Sequence, residues 1–195
     1  MKIILIRHAK VEVDIYTLTY ASELNKWLDI YNTTKIKTEL VNEKKIRKIF
    51  EETDKIFCSK LKRSIDSVAL YGKTPDISDE VFNEAGLPFS NWRGIKLPLV
   101  IWSIVFRVMW LFGYKNNGES YKEAKLRAKK GTDKLIESSE KEATVTLLGH
   151  GLMNRLIGKE LVRRGWKSQG KMGSDNWDYG VFELEEEKNL QHKIL

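Results

Sequence analysis

Lys2-Ile3-Ile4-Leu5-Ile6-Arg7-His8-Ala9 is a short apolar run that stops at two adjacent side chains able to carry positive charge. Apolar residues at every position from 3 to 6 leave no polar face, which predicts a strand buried on both sides. Two later runs share that character, Asp54 to Cys58 and Ala143 to Leu148. Helical patterning separates them. It covers about Thr19 to Tyr31, with Ser22 as a plausible N-cap, and Asn42 to Glu52, where Ile46, Ile49 and Phe50 share a face. It returns from Ser59 to about Tyr71, with Leu61, Ile65, Val68 and Ala69 on one side. Gly118 to Ser139 is a long polar helix, and Leu152 to Arg164 is another, ended by Gly165. Short strands are expected at Glu80–Asn83 and Tyr179–Leu184. Strands alternating with helices predict an α/β fold with a mainly parallel sheet, whose ligands bind at the carboxyl ends of the strands.

Composition sets the remaining bounds. A chain of 195 residues with 42% hydrophobic side chains suits one domain spanning 1–195, with room for a small insertion. The single cysteine, Cys58, cannot form an internal disulfide, so no oxidising compartment is needed. The N-terminus lacks the apolar core and cleavage site of a signal peptide, which makes the cytoplasm the expected location. Net charge is +7, but the basic residues are scattered among acids, as at Lys44-Lys45, Lys129-Lys130 and Arg163-Arg164. No nucleic-acid motif accompanies them, so nucleic acid is not an expected partner.

Three strand–helix junctions carry the chemistry. Arg7-His8 follows the first strand, Arg63 lies just inside the helix after Asp54–Cys58, and Gly149-His150-Gly151 follows the third strand. A parallel sheet can bring such junctions to one edge. Arginine pairs bidentately with phosphate oxygens. A neutral imidazole can attack phosphorus, and a second, protonated one can stabilise charge on the group in flight. A leaving alkoxide also needs a proton. Glu84, in Asn83-Glu84-Ala85-Gly86-Leu87-Pro88, is the first candidate for donating it, with Glu80 and Glu119 as the alternatives. No cluster of metal ligands is visible, so neither a metal nor another cofactor is expected.

Taken in chain order these elements resemble the histidine phosphatase, or phosphoglycerate mutase-like, superfamily. Arg7-His8-Ala9 is similar to its Arg-His-Gly/Ala hallmark, and Ser59-Lys60-Leu61-Lys62-Arg63 to its Ser-x-Leu-x-Arg run. Gly118-Glu119-Ser120 is similar to the Gly-Glu-Ser before its long helix, and Gly149-His150-Gly151 to its late Gly/Ser-His-Gly. The resemblance implies a three-layer α/β sandwich with the mainly parallel sheet in the middle and helices on either side. It implies His8 as nucleophile, with Arg7, Arg63 and His150 on the phosphoryl group and Glu84 as general acid. The substrate would be a small phosphomonoester and the reaction its hydrolysis. A phosphoglycerate-type phosphomutase and a catalytically weak phosphate-binding protein are the alternatives. One departure disfavours the mutase: Asp14 stands where the mutases have an Asn on phosphate, and an Asp there would repel the anion unless it points away.

Leu97 to Tyr114 is the most apolar stretch, long enough to suggest a membrane span. Pro98 and Arg107 interrupt it, and a central Arg is costly in a bilayer, about 2.5 kcal/mol or more. A single crossing would also separate Glu84 and Arg63 from His150, so no span is expected. The stretch reads instead as a cap inserted at about 85–117, covering the pocket with Trp102, Phe106 and Trp110. Arg107 then faces the substrate or reaches out to solvent. An apolar cap implies a substrate with an apolar or aromatic portion. Use of the same surface for dimerisation or for peripheral membrane contact stays open, as does the oligomeric state.

Overall fold

The computed structural model describes residues 1–116 and 118–184; His192, which the sequence leaves without a role, lies outside the described residues. The opening run forms β1 (Lys2–Arg7), which sits inside a six-stranded sheet. The other strands of that sheet are β3 (Lys55–Ser59), β4 (Ile77–Asp79), β6 (Thr144–Gly149), β7 (Lys167–Gln169) and β8 (Tyr179–Glu183). Their order across the sheet is β4-β3-β6-β1-β8-β7. β4, β3, β6 and β1 are mutually parallel, and β8 runs antiparallel to β1.

Alternation along β1 divides the interior into two layers. Ile3 and Leu5 join Val145, Leu147, Leu135 and Ile157 under helices α5 (Tyr121–Ser139) and α6 (Gly151–Arg163). Ile4 and Ile6 face the other way, onto Ile46, Phe50 and Val68 of α2 (Glu43–Glu51) and α3 (Lys62–Ala69). The result is a three-layer α/β sandwich whose middle sheet is mostly parallel. α5 starts at a capping box: Ser120 Oγ accepts from the Glu123 backbone N–H, and the Glu123 carboxylate accepts from that of Ser120.

A third apolar cluster lies outside the sandwich. It joins Ala21 and Leu24 to Leu99, Trp102 and Phe106 of α4 (Leu99–Leu111), with Trp27, Phe89 and Tyr114 against them. The stretch expected to be irregular and then apolar thus becomes β5 (Lys96–Pro98) followed by α4, and β5 pairs antiparallel with β2 (Leu18–Tyr20). The cap is therefore made of two segments far apart in sequence, bound by a two-stranded ribbon and a shared core. Trp102 Nε1 donates to the Thr19 carbonyl at 2.9 Å, fastening α4 to the first segment. Among the described residues no helix is long and apolar enough to cross a membrane.

Several local expectations are corrected. The helix placed at Thr19–Tyr31 is instead β2, a short 3₁₀ turn and α1 (Leu24–Thr33); Ser22 lies within the turn and is not an N-cap. Glu80–Phe82 is a 3₁₀ turn and not a strand, because the Asp79 carboxylate accepts from the Val81 backbone N–H and closes it. The strand of that region is β4, just before it. Ser59 ends β3, and α3 starts three residues later.

If the cap rests on its own core, Phe106→Ala should lower global stability in urea unfolding by about 3–5 kcal/mol, the usual loss for a buried Phe. A loss below about 1 kcal/mol would show that Phe106 does not anchor the cap.

Candidate active site

Register brings the site together. The β1–β6 ladder runs from Lys2 opposite Thr144 to Arg7 opposite Gly149, so the next residues on the two strands are His8 and His150. His8 N–H donates to the Gly149 carbonyl at 3.1 Å, and the two imidazole rings lie 5.0 Å apart. β3 lies on the other side of β6 and ends at Ser59, whose Oγ is 2.7 Å from His150 Nε2; Ser64 Oγ is 3.2 Å from the same nitrogen. Both histidines are almost wholly buried.

The tautomer of His8 follows from its partner. Nδ1 lies 2.6 Å from the Ala9 carbonyl, which can only accept. Nδ1 therefore bears the hydrogen, and Nε2 keeps the lone pair. Burial, and then the positive charges of Arg63 and Arg7, push the His8 pKa down to about 3. Burial, then His8 and the same arginines, hold His150 well below the usual imidazole range. Each ring is thus kept neutral at physiological pH.

The surroundings hold this pair rigidly. Ser67 of α3 accepts from the Ala9 backbone N–H at 2.8 Å and donates to the Arg63 carbonyl, tying the His8 loop to the helix that carries Arg63. Asn176 Nδ2 donates to the His8 carbonyl, and the Trp177 N–H to that of Arg7. Trp177 does so with φ at 67°, a left-handed conformation uncommon for so bulky a residue. Asn154 of α6 donates to the Ile6 carbonyl at 3.0 Å and accepts from the His150 N–H at 3.3 Å, bridging the ends of β1 and β6. A Cβ on Gly149 would come within 2.3 Å of Asn154 Oδ1, so this bridge requires glycine there.

Arg7 and Arg63 line a cavity whose wall His8 and His150, both almost wholly buried, do not themselves form. Arg7 donates to the Ser174 carbonyl, and Arg63 Nη1 to Asn32 Oδ1 at 2.8 Å, with its guanidinium 4.9 Å over the Tyr31 ring. The Nε of each arginine and Nδ1 of His150 are buried without a hydrogen-bond partner among the described residues. Such atoms are rare in folded proteins, and here they leave the donor capacity of two arginines and one histidine ring nitrogen unspent.

Glu84 lines the same cavity, and its carboxylate caps α6. It accepts from the backbone N–H groups of Met153 at 3.1 Å, Leu152 at 3.3 Å and its own neighbour Ala85 at 2.9 Å. Arg127 of α5, which the sequence did not single out, fixes the segment before it by donating to the carbonyls of Val81 and Asn83. Glu119 is taken up in a paired contact with Arg127, and the Glu80 side chain does not line this cavity. Arg107 faces inward, donating to the Ala85 and Gly86 carbonyls at 3.2 and 3.1 Å with its guanidinium 4.9 Å over Trp110.

The cavity measures about 760 Å³. Its walls come from α1 and α4: Trp27, Leu28 and Tyr31 on one side, Val100, Ile104 and Val108 on the other. Trp102, Phe106 and Trp110, expected to cover the substrate, do not line the cavity. All three are buried on the opposite face of α4, and Trp110 Nε1 donates to the Glu119 carbonyl at 2.8 Å. Asp14 also points away: its exposed carboxylate accepts from the Tyr16 N–H and the Thr17 hydroxyl, closing its own turn. Cys58 is a buried core residue whose thiol pKa burial pushes up to about 12. Among the described residues no group of three or more His, Cys, Asp or Glu side chains is placed to hold a metal ion.

Two neutral histidines on adjacent parallel strands, beside two arginines and a carboxylate at the carboxyl edge of an α/β sandwich, define the class of protein. The chain belongs to the histidine phosphatase superfamily (branch 1), whose profile matches residues 3–194. Among solved structures it is similar to a mycobacterial glucosyl-3-phosphoglycerate phosphatase, at 17% identity and a TM-score of 0.60, over 92% of this chain and 91% of that one. It is also similar to a phosphoserine phosphatase from Entamoeba histolytica, at 14% identity and a TM-score of 0.57, over 94% and 91%. These likenesses bear on the fold. Among curated proteins no relative matches.

The neutral histidines set a pH dependence. In the unfolded chain they protonate near 6.5, whereas His8 in the folded chain protonates near 3. Between those values the unfolded state binds more protons, so stability rises with pH, by up to about 1.4 kcal/mol per unit for each histidine. Urea unfolding stepped from pH 6.5 down to about 4 should show this slope, and His8→Asn should reduce it by about one proton. A slope indifferent to that substitution would mean that His8 is not the group held neutral.

Proposed function

We propose that the protein hydrolyses phosphomonoesters through a phosphohistidine at His8. The observation that carries this reading is the His8 ring, with Nδ1 bound to the Ala9 carbonyl and the Nε2 lone pair kept neutral beside two arginines. The unspent donors of Arg7 and Arg63 hold the phosphoryl oxygens, and the His150 ring joins them in the tautomer that carries its hydrogen on Nδ1. The Nε2 lone pair forms the N–P bond as the ester P–O bond breaks, and the Glu84 carboxyl gives its proton to the departing oxygen. The Glu84 carboxylate then takes a proton from water, whose oxygen attacks phosphorus. The P–N bond breaks and its electron pair returns to Nε2. No step requires a metal. The apolar walls favour hydrolysis over transfer between phosphoglycerate hydroxyls, because Arg107, the cation on that side, is already bound to backbone carbonyls.

In chelator, p-nitrophenyl phosphate should be turned over at full rate, and rapid quenching should trap an acid-labile, base-stable phosphorylated chain. His8→Ala should cost roughly three orders of magnitude or more; retained activity in that variant would rule out the mechanism.

Glu84→Gln separates the acid from its neighbours by leaving group. In the first turnover an alkyl phosphate should slow by roughly 10²–10⁴-fold, whereas p-nitrophenyl phosphate, whose phenolate leaves unprotonated, should phosphorylate His8 at nearly the normal rate. Equal losses on both substrates would assign the proton to another group.

A further inference from the structure

Between Glu84 and Glu119 the chain has no acidic residue and four basic ones, Arg93, Lys96, Arg107 and Lys115. α4 lies in this segment. Its inner face is buried in the cap core, but Ile101, Ile104, Val108 and Leu111 recur on its outer face at helical spacing and are each about half exposed. Phe112, at the end of the helix, is 89% exposed, and Trp92 and Ile95 stand half exposed at its entry. An apolar stripe with an aromatic at each end and lysines flanking it, Lys96 and Lys115, has the composition of a helix lying in the plane of a bilayer interface. Its 13 residues reach about 20 Å, too short to span a membrane and long enough to lie on one.

Charge selects the occupant. A symmetric contact between two copies would bring Arg93, Lys96 and Lys115 of both into one interface. Acids stand beside two of these cations, Glu23 near Lys96 and Glu123 paired with Lys115, which leaves Arg93 without an acidic partner among the described residues. An anionic lipid surface turns the same cations into attraction, in a chain of net charge +7. The stripe is also continuous with the site, since Ile104 and Val108 belong both to it and to the cavity wall.

We propose that α4 docks the protein on an anionic membrane surface, with the cavity opening onto that surface so that its phosphomonoester is an amphiphile drawn from the bilayer. The docking stands on the surface alone; the identity of the substrate rests on the hydrolase reading above.

The test is sedimentation with phosphatidylcholine vesicles, with and without phosphatidylglycerol, together with hydrolysis of phosphatidate carried in the anionic vesicles. The protein should pellet with the anionic vesicles and be released by salt. Ile101→Glu combined with Phe112→Glu, both outside the cavity, should weaken partition and slow phosphatidate turnover at least about tenfold, while sparing p-nitrophenyl phosphate in solution. Phe112→Glu alone serves if the pair folds poorly. A protein that stays in the supernatant, or vesicle binding unchanged in the variants, overturns the docking. So does a dimer that the substitutions split while vesicles remain unbound. Docking without phosphatidate turnover overturns the substrate assignment. Failure on p-nitrophenyl phosphate instead counts against the hydrolase reading and leaves the sedimentation result independent.

Discussion

The arrangement depends on one ladder, the parallel pairing of β1 with β6. Because Arg7 lies opposite Gly149, the two histidines leave their strands side by side, and the His8 N–H extends the ladder by one bond to the Gly149 carbonyl. A slip of one residue would turn every side chain of β1 to the opposite layer, exchanging the two cores. The apolar packing of Ile3 and Leu5 against one pair of helices, and of Ile4 and Ile6 against the other, therefore fixes the position of the histidines as firmly as any contact within the site. Asn154 then locks the two strand ends together, and Gly149 leaves the space for it.

The site shows a division of labour between contacts that hold the reacting groups and groups left unspent. Ser67, Asn176 and Asn154 bind backbone atoms of the histidine loops, and Arg127 binds backbone carbonyls ahead of Glu84. By contrast, Nε of both arginines and Nδ1 of His150 are buried without partners. Burying unpaired polar atoms is costly, and the strained backbone at Trp177 adds to that cost. The packed strands beneath make both tolerable.

Much of the histidine and arginine cluster is legible in the sequence because its residues stand next to strong strand signals, whereas Glu84 follows a 3₁₀ turn and has no such marker. Arg7-His8 and Gly149-His150 directly follow apolar runs, and the spacing from Ser59 to Arg63 places a cation early in the next helix. The parts that were not legible have physical reasons. β2 and β5 are three residues long, too short to show a period, so nothing in the sequence separates Thr19 and Tyr20 from the helical pattern that follows. α4 is apolar on nearly every side and lacks a polar face that would orient it, so its sequence does not distinguish the buried Trp102 and Trp110 from Val100, Ile104 and Val108, which line the cavity. Asn154 and Arg127 act through backbone atoms far away in sequence, and no local pattern marks them.

Glu84 occupies two positions in the chemistry of the molecule, as the carboxylate on the first turn of α6 and as the acid of the proposed cycle. A charge at a helix N-terminus contributes about 0.3–1 kcal/mol to that helix. In the proposed cycle, each movement of the proton on or off Glu84 would add or remove that contribution from the helix that begins beside His150. Proton transfer and the seating of the second histidine would then be geared together through one carboxylate.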